Sequence, residues 1–197
     1  ISCSLVGSEM CIRDSSSSEE EEKMIIREAV MEEMPPVMEF YNMMCGELGK
    51  ASFLPEGDKG GFPSEEMVRT SIENRELWVG EEDGSIVAAY FMNHEADEAY
   101  DSVKWQRELP KDQVYILHGL RVSPACGGRG YAKRLVEHAI QTAEGRGQKA
   151  IRLDCIEGND VPQKMYRSYG FCQMGTVEIC YADIGVPRKF QVYELLL

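Results

Sequence analysis

One stretch constrains this chain more than any other: a strand, a glycine-rich loop and an amphipathic helix in direct succession. Val114 to Val122 has the length and the aliphatic content of a buried strand. It runs into Ser123-Pro124-Ala125-Cys126-Gly127-Gly128-Arg129-Gly130. Behind that loop, Ala132, Leu135, Val136, Ala139, Ile140 and Ala143 fall at i, i+3, i+4, i+7, i+8 and i+11, a broad apolar stripe on a helix that ends at Gly145-Arg146-Gly147. Glycines let successive backbone N–H groups turn to one side, and the helix N-terminus adds a partial positive charge. The unit therefore suits a phosphate or pyrophosphate. A tight connection between packed elements would use the same residues. The loop is not the nucleotide-triphosphate loop, because no Gly-Lys-Ser/Thr follows. It lacks the third glycine of the dinucleotide fingerprint, and no acidic residue ends a following strand at about twenty residues on.

The flanking sequence reads as mixed α/β. Met24 to Arg27 is a short β-branched run suited to an edge strand. Pro35 and Pro36 sit where a helix starts, the position that loses no hydrogen bond. Val37, Phe40, Tyr41, Met44 and Leu48 continue at helical spacing, and a Gly- and Pro-rich loop spans 49–63. Ser64 is a good N-cap for a second helix carrying Met67, Val68 and Ile72. Glu76 to Glu81 and Ser85 to Asn93 flank Glu82-Asp83-Gly84, a hairpin signal. His94 to Gln113 is polar and irregular apart from Trp105. After the central helix come a strand (Ala150 to Ile156), a short helix (Val161 to Tyr169) stopped by Gly170, and two closing strands, Phe171 to Tyr181 and Lys189 to Leu197. The pattern has an antiparallel start and an α/β centre.

Length and charge narrow the function classes. At 197 residues the chain suits one domain and needs no disulfide or metal staple. Its net charge of −13 repels a phosphate backbone, so no nucleic-acid partner is expected, although a local basic spot for a small anion is compatible with it. No apolar run is long enough to span a membrane, and Ile1 to Ile12 lack the basic start and apolar core of a signal peptide. The seven cysteines form no C-x-x-C pair and no Cys/His cluster with zinc spacing, so no metal is expected and a reduced, cytoplasmic setting fits best. Residues 1–23 carry a serine run (Ser15 to Ser18) and a glutamate run (Glu19 to Glu22), which read as a disordered tail. Ser4 to Ser15 also resembles a translated read-end string of environmental assemblies, which would make Met24 or a nearby residue the natural start; a genuine flexible extension is the alternative.

Two motifs in order make a family resemblance. Leu120 to Pro124, Gly127 to Ala132, Asn159, Met165-Tyr166 and Tyr169-Gly170-Phe171 resemble the GNAT acetyltransferases over about residues 24–197, most strongly from 114 to 171. Gly128, Gly130 and Ala132 fit the loop pattern; Gly127 departs from it, because the family has Gln or Arg there. The resemblance implies a mixed, mostly antiparallel sheet of six to seven strands, flanked by about four helices, whose fourth and fifth strands splay apart. It implies acetyl-CoA in the gap, with pantetheine pairing to backbone around Leu120 and Val122. The pyrophosphate would rest on the loop of Gly127, Gly128, Arg129 and Gly130 and on the amides of Tyr131 and Ala132. It further implies transfer of an acetyl group to an amine, by a monomer or a homodimer.

Acetyl transfer from a thioester needs a neutral amine, a stabilised oxyanion and a protonated leaving thiolate. Tyr166 matches the family's general acid, or else packs beneath the cofactor. Asn159 matches a cofactor contact, or caps the helix. His118 interrupts the apolar series Val114, Ile116, Leu120 and Val122 and has an ordinary pKa suited to deprotonation; a buried structural histidine is the other reading. Asp154 lies at the matching place on the opposite splayed strand, where it either serves the chemistry or pairs locally. Arg129, Lys133 and Arg134 make a local basic spot or a solvated helix face. His94 and His138 read as surface residues, and Cys126 as a passive small residue or a redox-reactive one. Phe40, Tyr41, Met44, Phe53, Phe62 and Trp105 are expected to line the acceptor site or to be core. A non-catalytic acyl-CoA-binding module is the alternative to the enzyme.

Overall fold

Two prolines and a serine decide where the first two helices begin. Pro35 and Pro36 occupy the first turn of α1 (Met34–Leu48), where missing N–H groups cost nothing. Ser64 caps α2 (Glu65–Glu73), its side chain accepting from the Met67 amide at 3.1 Å, with Glu65 and Glu66 complementing the dipole. The computed structural model describes residues 24–55, 57 and 60–197; the tail reading of residues 1–23 falls outside them. Among the described residues, seven strands form one sheet: β1 (Ile25–Glu28), β2 (Leu77–Glu82), β3 (Ser85–Asn93), β4 (Val114–Val122), β5 (Ala150–Ile156), β6 (Cys172–Ile179) and β7 (Arg188–Leu196), in the order β1-β2-β3-β4-β5-β7-β6. All neighbours pair antiparallel except β4 and β5, which are parallel and joined through α3 (Tyr131–Gly145). The β2–β3 turn is Asp83-Gly84, both at positive φ, as a two-residue hairpin requires.

The sheet is covered on both faces. Leu117, Leu120, Val122, Leu153 and Cys155 join Leu135, Val136 and Ala139 of α3 and Tyr166 of α4 (Asp160–Ser168) in one cluster. On the other face, α1 and α2 bury Val37, Phe40, Tyr41, Met44 and Val68 against Val79, Ala89 and Phe91. Beyond them on that face, Tyr100 and Ile184 pack against Val114, Ile116, Ile156 and Val192.

A bulge interrupts β4. Phe91 pairs with His118 and Ala89 with Arg121, so Gly119 and Leu120 together oppose Tyr90. Gly119 takes φ +53, and a Cβ there would stand 2.9 Å from the Phe62 ring. The Tyr41 hydroxyl donates to the Gly119 carbonyl at 2.9 Å, satisfying a group the ladder has released. The bulge also exchanges faces. Val114 and Ile116 point to one side of the sheet, whereas Leu120 and Val122 join the α3 side. The four residues are therefore not one apolar face interrupted by His118, because period-2 alternation resets at the extra residue.

The connection 94–113 is less irregular than its composition implies. Arg152 forms an ion pair with the fully buried Glu194 at 2.9 Å and lies 4.0 Å from the Trp105 ring centre. Glu194 also accepts from the Gln106 amide at 2.9 Å. These contacts anchor the connection over β5 and β7. Gly119→Ala combines a left-handed conformation with overpacking against Phe62, so it is expected to cost about 2–3 kcal/mol, measured by denaturant unfolding.

Candidate active site

β4 and β5 pair only at Val114–Ala150, Tyr115–Ile151 and Ile116–Arg152, and then diverge. From Leu117 to Val122, β4 has no strand on its β5 side. The wedge so formed has a polar backbone edge along Leu120 and Val122. An extended ligand can pair with that edge as a strand would.

The glycine loop closes the mouth of the wedge. Gly128 and Gly130 take φ +78 and +75, and a Cβ on either would meet nothing within 4 Å, so backbone conformation rather than crowding demands glycine. Gly130 is the N-cap of α3. The amides of Gly128, Gly130, Tyr131, Ala132 and Lys133 have no hydrogen-bond partner among the described residues, which is the donor array expected of an anion cradle. Gly127 is tied back, its amide donating to the Pro124 carbonyl at 3.0 Å. Arg129 turns away from free anion duty: its Nη1 donates to both oxygens of the mostly buried Glu82, at 2.8 and 2.9 Å. Lys133 is exposed, and Arg134 donates to the Met24 carbonyl at 2.7 Å. Cys126 is buried, and burial raises its thiol pKa, so it is a packing residue.

α4 carries two predicted residues, and Tyr166 packs on the α3 side of the sheet. Asn159 is the N-cap residue of α4, yet its side chain makes no capping bond. It is 3% exposed, and its Nδ2 has no partner in the protein. A buried amide donor left open is costly unless a ligand accepts from it. Tyr166 is fully buried and meets Phe171 edge-on at 5.4 Å.

His118 and Asp154 stand on the other face. His118 Nε2 lies 3.0 Å from Asn93 Oδ1, which also accepts the Glu95 amide at 3.0 Å. That backbone donor identifies the Asn93 atom as oxygen, so Nε2 carries the hydrogen, and the Glu95 backbone is a second polar neighbour of the ring. Burial pushes the His118 pKa down to about 3, so the ring is neutral at physiological pH and a weak base. Asp154 accepts from the hydroxyls of Tyr100 and Tyr181 at 2.9 and 2.8 Å, both through Oδ2. Its Oδ1 is buried without a partner.

Other expectations are redistributed. Phe40, Tyr41, Met44 and Phe62 are core residues, with Tyr41 and Phe62 supporting the bulge. Trp105 lies under Arg152. Phe53 borders a groove of about 320 Å³ at the end of β5, with Ile156, Glu157, Glu178, Arg188 and Lys189. His94 and His138 are half-buried: His94 Nδ1 donates to the Lys111 and Val114 carbonyls, and His138 Nδ1 is 2.8 Å from the Tyr90 hydroxyl. A larger groove of about 420 Å³, beside Trp78 and His138, is lined by Arg27, Arg75 and Arg146, each paired with Glu28, Glu33 or Glu81. It is a charge network away from the wedge. Gly119, Glu82, Tyr100 and Tyr181 were not singled out from the sequence for the site. Only Gly119, a glycine inside a strand, carried a signal that could have marked it.

A splayed β4–β5 pair above an open-amide glycine loop agrees with the family comparison. The family model described as Acetyltransferase (GNAT) family matches residues 38–171. The chain belongs to the GNAT acetyltransferase family. A [ribosomal protein bS18]-alanine N-acetyltransferase of Haemophilus ducreyi is 38% identical over 58 residues, 29% of this chain and 40% of that enzyme's length. A GNAT-family acetyltransferase from Streptococcus agalactiae shares the fold with a TM-score of 0.70 at 23% identity, over 89% of this chain and 96% of its own. The yncA protein of Salmonella typhimurium, solved with its cofactor acetyl-CoA, gives 0.65 at 18% identity, over 88% and 94%. The expected sheet and flanking helices are thus those of a GNAT chain.

His118 also sets a pH dependence. Its native pKa lies below the unfolded value of 6.5, so the unfolded state binds the proton first as pH falls. Relative to His118→Gln, the wild type should lose thermal stability progressively from pH 6.5 towards pH 3 and show no such relative loss above pH 7. Melting temperatures of both across that range test this.

Proposed function

We propose that this GNAT chain is an acetyl-CoA-dependent N-acetyltransferase that acetylates a primary amine by direct attack with both substrates bound together. The observation that carries the reading is the wedge itself: an unpaired β4 edge and a cradle of open amides at its mouth, with an orphaned Asn159 Nδ2 at the start of α4. Those groups fit acetyl-CoA, which when bound supplies the acetyl thioester. The amides of Gly128, Gly130, Tyr131 and Ala132 would hold its pyrophosphate, helped by Lys133. Backbone at Leu120 and Val122 would pair with its pantetheine, and Asn159 would donate to it.

The proton work divides across the sheet. Tyr166, on the α3 and α4 side, donates a proton to the departing sulfur. Asp154 and His118, on the opposite face, meet the acceptor. Asp154 Oδ1 takes the ammonium proton, and neutral His118 adds a polar, uncharged ring on the same face. The groove beside Phe53 lies at the end of the strand that carries Asp154 and gives the amine an entrance whose rim holds Glu157 and Glu178 together with Arg188 and Lys189. Strong acidity overall favours a cationic amine, small or peptidic, in the same way.

Acetyl-CoA at about a hundred times its dissociation constant should stabilise the fold by roughly 2.7 kcal/mol, read as a melting shift. Gly130→Val, which forces a branched side chain into a left-handed position, should abolish the shift. No shift with acetyl-CoA or coenzyme A in the wild type overturns the reading. Coenzyme A release should then be assayed against a panel of amines. Tyr166→Phe should lower turnover by well over tenfold, towards the low end of the usual 10²–10⁴ range for such acids, with acetyl-CoA affinity kept. Binding without release for any amine would instead leave a non-catalytic acyl-CoA-binding module.

A further inference from the structure

Asp154 is held in an unusually lopsided way. Both of its protein hydrogen bonds go to Oδ2, from Tyr100 and from Tyr181, while Oδ1 is buried and bare. Three distant parts of the chain converge here. β5 supplies Asp154, the 94–113 connection supplies Tyr100, and the segment between β6 and β7 supplies Tyr181. Tyr100 is itself fixed. Its ring lies 5.4 Å from Trp105, whose indole N–H donates to the Tyr100 carbonyl at 3.2 Å, and Trp105 is clamped under Arg152. The Arg152–Glu194 pair thus has a consequence at Asp154.

The surroundings leave few other influences on the carboxyl group. Tyr100 belongs to an apolar cluster with Leu48, Leu54, Ile116, Ile184 and Val192 among others. Asp97 and Asp183 lie near Tyr181, and Cys155 near Tyr100. No lysine or arginine bonds to Asp154 among the described residues. Burial, and then the neighbouring carboxylate, push both phenols well above their ordinary range, so they remain donors across the working pH.

We propose that Tyr100 and Tyr181 are positioning residues: by saturating Oδ2 they fix the Asp154 rotamer and leave Oδ1 as the atom that meets the acceptor ammonium and takes its proton. This rests on the reading of Asp154 as the proton acceptor. In the step, one N–H bond of the ammonium breaks and its electron pair stays on nitrogen. An O–H bond forms at Oδ1, and neither tyrosine changes protonation state. The amine that results is the neutral nucleophile.

The test is a double-mutant cycle on the full chain, read by coenzyme A release with an amine found active in the panel. Tyr100→Phe and Tyr181→Phe should each lower kcat about tenfold, the loss of one hydrogen bond to a charged group, with KM for acetyl-CoA unchanged. In the Asp154→Asn background, where the carboxylate that the two phenols orient is gone, neither change should lower the residual rate further. If the phenylalanine variants act equally in both backgrounds, their role is structural and the proposal fails. It fails too if they leave kcat intact while Asp154→Asn abolishes it, and then the reading of Asp154 stands. If Asp154→Asn retains full kcat, that reading falls and takes the proposal with it. Should Tyr100→Phe not fold, Tyr181→Phe alone completes the cycle.

Discussion

Backbone groups that leave a ladder must find partners elsewhere, and β4 leaves its ladder with β5 after Ile116. Everything of interest in this chain follows from how that departure is supported. The bulge at Gly119–Leu120 lies just beyond the last β4–β5 pair, and a bulge raises the local twist of its strand. Tyr41 satisfies the carbonyl that the bulge exposes, and Phe62 occupies the place a side chain at 119 would need. α1 and the loop behind it therefore act on the wedge from below, as its support rather than as its lining.

The cradle at the wedge mouth depends on the same economy of hydrogen bonds. Gly128 and Gly130 adopt conformations that leave their amides open, and the first turn of α3 adds its own. The one strong cation of the loop, Arg129, is taken by Glu82 from the β2–β3 hairpin. Glu82 is nearly buried, so the pair fastens the loop to the sheet. An anion held there would depend on amides, the helix dipole and Lys133, which suits a protein of net charge −13 that has little positive field to spare.

Splaying also separates the chemistry by face. Tyr166 approaches from the side of α3 and α4, while His118 and Asp154 lie on the side of α1 and the 94–113 connection. Had β4 kept its period, His118 would still share a face with Val114 and Ile116, but Leu120 and Val122 would have pointed there as well. The extra residue sends those two to the α3 side, so the α1 side of the outer half of β4 is not filled by them. On the proposed mechanism, the acid Tyr166 and the base Asp154 therefore stand on opposite faces of the sheet.

Much of this was legible in the residues themselves. The strands at Ser85–Asn93, Val114–Val122 and Ala150–Ile156 and the helix after Gly130 follow from hydrophobic period and capping, which are local properties. So does the glycine cradle, because positive φ is written in residue type. What only the tertiary structure decided are the pairings across long sequence distances: Tyr41 on Gly119, Glu82 on Arg129, Tyr100 and Tyr181 on Asp154. The burial that lowers the His118 pKa is of the same kind. None has a sequence period, since each depends on where two unrelated segments meet in space. The polar stretch 94–113 shows this most clearly. Its composition reads as a loop, and its contacts with β5 and β7, through the Arg152–Glu194 pair against Trp105 and through Tyr100 on Asp154, exist only once those strands stand beside it.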